Sequence, residues 1–358
     1  MTASGPILHV VQHLQPGGLE VMALELARAQ SARHPAKVLS LEGDMESALA
    51  AWPRLAAQRD ILLFAGKRPG LDPVLPLRLA RLFRQLRPAC VHTHHIGPLL
   101  YAGVAARLAG VGRRIHTEHD AWHLKDPRRR KVAKLAVALA HPIMVADAPN
   151  VAEAVAEALG GPLPRTILNG VDVDRFTPGN RAAARAALGF ALDMPVIGVA
   201  ARLETVKGVD IAIRAHAAMR RPALLAITGG GSQEAALRQL AQACGAAERV
   251  RFLGLTDDML HFYRALDVLC LASRAEGLPL SLLEAQASGV PVVAADVGGV
   301  AAAVCPQSGR LVAAEDVAGF AAALDAALDS PGPSPRDFVL RTGSLAASAA
   351  AYLELALG

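Results

Sequence analysis

Short apolar runs that alternate with helical stretches along the whole chain limit the fold more than any other feature. Residues 7–11, 38–41, 61–64, 89–93, 114–117 and 142–146 each read as a brief buried strand, with turn or helix signals between them. The second half repeats the scheme at 196–200, 224–228, 250–253, 268–272, 292–295 and 311–312. Strands that alternate with helices build parallel, doubly wound sheets, so two such series mean two α/β domains. At 358 residues the chain has room for both cores. Pro178-Gly179-Asn180 breaks the composition and divides a domain over 1–177 from one over 178–344. After a Pro-rich stretch at 331–335 the tail reads as one or two helices.

Composition narrows the function. Hydrophobic residues make up 53% and charged ones 19%, a globular balance. Aromatics at 4% leave too few rings for a single-strand stacking platform, so no nucleic-acid partner is expected. The four cysteines stand singly, which predicts free thiols in a reducing cytoplasm. No signal-peptide core opens the chain, and no uncharged run reaches the ~20 residues a membrane span needs. Two basic stretches, Arg78/Arg81/Arg84/Arg87 and Arg128-Arg129-Arg130-Lys131, read as solvated faces, with peripheral contact to the anionic inner face of a cell membrane as the rival.

The chemistry-bearing residues lie after strands. Gly17-Gly18 precedes a helix at 19–30, a turn that lets a backbone come close to a ligand. His92-Thr93-His94-His95 and Glu118-His119-Asp120 end two strands, where open α/β sheets bind ligands. These histidines form no HExxH helix or closed ligand set, so no metal is expected. Gly229-Gly230-Gly231 fails the dinucleotide pattern at Glu234, and no NTPase loop occurs. Arg202 and Lys207 both stand between a strand and a helix, one offering a planar fork and the other a point charge for phosphate. Glu276 and Glu284 flank the start of an apolar helix that opens at Pro279, whose free N–H groups suit an anion. Phosphate at the helix end and hydroxyls at the acids describe a nucleotide sugar.

The E-x7-E pair Glu276/Glu284, the R-x4-K-G run Arg202 to Gly208, and Asn169-Gly170-Val171-Asp172 leading to Phe176 and Pro178 together resemble the retaining GT-B glycosyltransferases of family 4. The resemblance implies two Rossmann-like domains facing across a cleft, with the helix at 345–358 packing back on the first. It implies that Arg202 and Lys207 hold the diphosphate, that Glu276 reads the sugar with help from backbone at Gly277 and Leu278, and that Glu284 holds the ribose. Gly17, Gly18 and Gly230 would approach the donor, Leu253 and Gly254 would touch the base, and His119 would position the reacting centre. Asp172-Val173-Asp174 falls in the linker motif and is read as structural, not as a metal triplet. The implied activity is transfer of a hexose from a UDP- or GDP-linked donor to a polysaccharide or lipid-linked oligosaccharide, without a cofactor. A sugar-nucleotide 2-epimerase and a non-catalytic GT-B subunit are the alternatives on the same fold.

Overall fold

The computed structural model describes residues 5–256 and 258–358. The chain forms two compact units: one runs to Asn169 and takes in Leu345–Gly358, the other is Gly170–Ser344.

The first unit holds seven parallel strands: β1 (Ile7–Val11), β2 (Ala36–Ser40), β3 (Leu62–Phe64), β4 (Cys90–His94), β5 (Arg113–Glu118), β6 (Ile143–Ala146) and β7 (Arg165–Thr166). Their order is β3-β2-β1-β4-β5-β6-β7, so the winding reverses between β1 and β4. Helix α1 (Gly18–Ser31) follows β1 with Gly17 as its N-cap, and α2 (Leu75–Leu86) lays Leu75, Leu79, Ala80 and Phe83 on the core. The basic face expected on α2 is partly spent: Arg78 donates to the carbonyls of Ala65 and Gly66, and Arg84 to that of Leu108. Helix α3 (Pro127–Ala140) starts at an Asp126 cap, whose carboxylate accepts from the Arg128 N–H. The C-terminal helix Leu345–Leu357 belongs to this unit and buries Tyr352, whose hydroxyl lies 3.0 Å from Thr117 Oγ1.

The second unit holds six parallel strands: β8 (Val196–Ala200), β9 (Leu224–Thr228), β10 (Val250–Gly254), β11 (Val268–Leu271), β12 (Val292–Ala295) and β13 (Arg310–Val312). They run β10-β9-β8-β11-β12-β13, with the reversal between β8 and β11. Both faces of this sheet are covered, which is why its strands are near-continuous apolar runs. Helix α4 (Val209–Ala218) follows β8, and α5 (Leu280–Ala287) follows β11.

The units divide at Asn169 and Gly170 and not at 177/178, because the residues between are bonded into the second unit. The Val171 N–H donates to the Gly343 carbonyl, Arg336 to the carbonyls of Val173 and Phe176, and Arg264 to that of Thr177. Strand β7 carries no sequence signal: it is two exposed residues paired to β6. The cysteines are free, and burial pushes the thiols of Cys90 and Cys270 up to about 12.

Candidate functional site

In a doubly wound sheet the loops after the two strands that flank a reversal diverge and leave a crevice at the strands' carboxyl ends. In the second unit those loops follow β8 and β11, and they carry the residues singled out above. Lys207 Nζ lies 2.7 and 2.8 Å from the two oxygens of Glu276. The Ser273 hydroxyl donates to Glu276 Oε1 at 2.7 Å, so this carboxylate is held on both sides. Arg202 is exposed on the same β8 loop, its charge beside Glu204.

Arg274 clamps that loop to the β11 loop. It donates to the Thr205 carbonyl at 2.6 Å and takes both Asp210 oxygens at 2.8 Å, a planar fork on a carboxylate. The hydrogen bonds from Arg274, aided by its charge, hold Asp210 below its ordinary value, and Asp210 raises the arginine in turn. Beneath Glu276, Gly298 has φ +53°, and a Cβ there would run into the Glu276 carbonyl oxygen. The Gly299 N–H meets the Gly277 carbonyl at 3.0 Å. Glycine is therefore needed where these two loops pass.

Glu284 stands in α5 and accepts from the buried Tyr263 hydroxyl at 2.7 Å. Burial first, and the neighbouring carboxylate second, push that phenol far above its ordinary value, so it stays a donor. Leu278 is buried just before α5. On the glycine loop the tightest position is Gly229, where a Cβ would run into the Ala201 carbonyl; at Gly231 it would meet the Leu203 backbone, and Gly230 has ordinary space. At Leu253 the pairing of β10 with β9 slips by a residue. The Gly254 carbonyl accepts from the Gly229 N–H and the Thr228 hydroxyl, both at 2.9 Å.

The first unit gathers a different set at its own reversal. His119 Nε2 lies 3.1 Å from His94 Nδ1, and its Nδ1 lies 3.3 Å from Asp147 Oδ2. Asn169 Nδ2 donates to that same oxygen at 2.9 Å. His94 Nε2 continues to His9 Nδ1 at 3.2 Å, and His9 Nε2 reaches Gln30 Oε1 at 2.7 Å. Burial holds His9 down at about 4 and pushes His92 and His94 well below the ordinary imidazole value, so these rings are neutral. His95, half-buried at the end of β4, has φ +70°, a costly conformation for a non-glycine residue that concentrates at functional sites. Burial above all brings it down to about 4.

Residues 16–175 match Glycosyltransferase Family 4, and residues 180–341 match Glycosyl transferases group 1. The chain belongs to the group 1, family 4 glycosyltransferases. It is 42% identical over 175 residues to a D-inositol 3-phosphate glycosyltransferase of Saccharomonospora viridis, covering 45% of this chain and 41% of that one. A protein of the same name from Nocardia farcinica is 34% identical over 269 residues, covering 71% and 57%. The chain thus spans about half the length of the curated relatives it matches. Among solved structures, Anabaena Alr3699/HepE in complex with UDP superimposes with a TM-score of 0.84 at 20% identity, over 98% of each chain. Its complex with UDP-glucose gives 0.82 at 22%. At that identity the likeness concerns the GT-B fold.

Within this group 1 glycosyltransferase, Arg202, Lys207, Gly230, Leu253, Gly254, Glu276, Gly277, Leu278 and Glu284 lie in the second unit, while Gly17, Gly18 and His119 lie in the first. Gly17 is tight, since a Cβ would meet the Glu20 carboxylate, and Gly18 opens on free space. Both ring nitrogens of His119 face protein partners. Sequence reading passed over Arg274, Gly298, Tyr263 and Asp147, and named His95 only as part of a histidine run at a strand end. Arg274 and Gly298 stand in or beside glycine-rich turns that motif spacing flags. Tyr263 and Asp147 carry no such mark, because only the fold brings them to Glu284 and His119.

Proposed function

We propose that this chain is a retaining hexosyltransferase that takes its sugar from a UDP- or GDP-linked donor. The Lys207–Glu276 pair at the β8/β11 reversal carries this reading. A carboxylate already bound by an ammonium and a serine hydroxyl is a poor nucleophile and a good acceptor for sugar hydroxyls. Incoming diphosphate oxygens would compete for Lys207, with Arg202 as the second cation. As the nucleotide leaves, these two charges meet the negative charge that develops on it, a transition-state contribution. Glu284, oriented by Tyr263, would take the ribose hydroxyls. UDP-bound structures of the same fold favour uridine.

For the acceptor we propose a polysaccharide or lipid-linked oligosaccharide at the cytoplasmic face of a membrane. Helix α3 supports this: Val132, Leu135 and Leu139 are 41%, 56% and 43% exposed along one stripe, flanked by Arg128, Arg129, Lys131 and Lys134, with Trp122 51% exposed just before the helix. A basic face around an apolar stripe is the pattern of a helix that lies on anionic lipid. Among the described residues no helix is long and apolar enough to cross a membrane. A second reading, a small sugar phosphate such as an inositol phosphate, is favoured by the names of the relatives.

Thermal-shift screening against nucleotide sugars, followed by nucleotide release with each acceptor class, tests this. Stabilisation by a nucleotide sugar together with acceptor-dependent release is the expected result. Untouched rates in Lys207→Ala and Glu276→Ala would remove the site assignment. A C2-epimerised sugar nucleotide in place of a glycoside would identify an epimerase instead, and binding without turnover a non-catalytic subunit.

A further inference from the structure

Transfer chemistry in the second unit does not explain three imidazoles packed into the interior of the first. Strands β1 and β4 are parallel neighbours, with His9 in register with His92. Side chains two apart on a strand share a face, so His94 joins them. One nitrogen from each ring lies within 4.8 Å of the others, and the ring centroids are 4.1 to 5.5 Å apart.

With the Gln30 oxygen turned toward His9, hydrogen-bond polarity assigns which nitrogens carry protons. Asp147 Oδ2 takes the His119 Nδ1 proton, so His119 Nε2 presents a lone pair. That lone pair takes the His94 Nδ1 proton and leaves His94 Nε2 bare. From the other end, the Gln30 carbonyl takes the His9 Nε2 proton and leaves His9 Nδ1 bare. Two lone pairs then face each other across 3.2 Å, which is repulsive unless a cation lies between them. Turning the Gln30 amide lets its nitrogen donate to His9 Nε2 and His9 Nδ1 donate to His94 Nε2 with no loss of partners, since that nitrogen has none as placed; what calls for a cation is the convergence of three ring nitrogens within 4.8 Å. His92 uses Nε2 toward Thr117 at 2.8 Å, which leaves its opposite nitrogen to contribute.

We propose that His9, His92 and His94 bind a divalent transition-metal ion of the zinc class. Each ring gives one nitrogen to the metal and donates its other N–H outward, to Gln30, Thr117 and His119 respectively. Neutral imidazoles whose second N–H is held by an acceptor are how proteins orient histidine ligands, and imidazole sets suit zinc. The ion ties β1 to β4 and, through His94, fixes the ring of His119; it takes no part in bond breaking. The expected absence of metal rested on spacing within single segments, and His9 comes from a distant one.

The test is metal analysis of the full chain prepared without a histidine tag, then titration with Zn2+ and with Co2+ as a visible probe. One zinc per chain that survives dialysis is expected, with cobalt absorption bands of a nitrogen-ligated site. His92→Gln and His94→Gln should abolish that equivalent, Gln30→Leu should weaken it about 10- to 100-fold, and His261→Gln, an exposed control, should keep it. Nitrogen-15 NMR of the wild-type histidines gives a readout independent of how the variants fold: His9, His92 and His94 should all shift on metal addition. A folded wild-type chain that stays metal-free after zinc and gel filtration overturns the proposal. So does a bound equivalent that His92→Gln and His94→Gln leave in place.

Discussion

The two reversal points use the same sheet geometry with opposite electrostatics. At β8/β11 the loops carry full charges, Lys207 against Glu276 and Arg274 against Asp210, partly open to water. At β1/β4 the strands themselves carry neutral imidazoles in a dry interior. A paired charge half in water keeps its charge at modest cost and can be re-paired by a charged ligand. A histidine in the interior avoids the larger cost of burying charge by giving up its proton. The first arrangement suits a diphosphate that comes and goes. The second suits something held permanently.

Acid should separate the two regions most. In the chain stripped of metal, burial keeps His9 at about 4 when folded, against 6.5 for a free imidazole, and pushes His92 and His94 well below that ordinary value. The unfolded chain therefore binds more protons below 6.5. Stability is full above that pH and falls as pH drops towards 4, by about 1.4 kcal/mol per pH unit for each such ring. Both tryptophans, Trp52 and Trp122, lie in the first unit, so their fluorescence reports its unfolding alone. A tryptophan-detected midpoint that stays flat from pH 7 to 5 would mean that the rings are not buried as described.

Next in size, Lys207→Ala should lower kcat about 10²- to 10³-fold, the usual loss when a transition-state charge partner is removed. Steady-state nucleotide release measures it, and an effect confined to KM would make Lys207 a binding residue only. Gly298→Ala should follow, at about 1–3 kcal/mol of stability for a strained left-handed residue, together with a loss of turnover because Glu276 must shift. Denaturant unfolding and turnover on one preparation read both. Comparable in size, Tyr263→Phe removes one hydrogen bond to a charged group, worth about 1.5–3 kcal/mol. It should raise KM for the donor more than it changes kcat, and the reverse split would place Glu284 at the reacting centre.

Much of this was legible. Apolar runs such as 196–200 and 224–228 are strands at those bounds, because a sheet covered on both faces demands unbroken apolar sequence. The pair Glu276 and Lys207 was legible as two residues, each beside glycines. Their 2.7 Å contact was not, since it needs β8 and β11 to be neighbours although β9 and β10 lie between them in the chain. The domain boundary misled because Pro178-Gly179-Asn180 looks like a linker, yet Arg264 and Arg336 tie the preceding residues into the second unit.

The sequence by itself determined the two α/β units, the family and the residue types at the donor site, because strand periodicity and loop chemistry are local properties. It also put His92 and His94 on one face of β4, since alternate residues on a strand share a side. Only the tertiary structure decided that His9 completes their set, that His119 spends both nitrogens inward, and that Gly298 supports Glu276. Parallel strands meet through crossovers, and the register that pairs His9 with His92 is set by packing that no single segment contains.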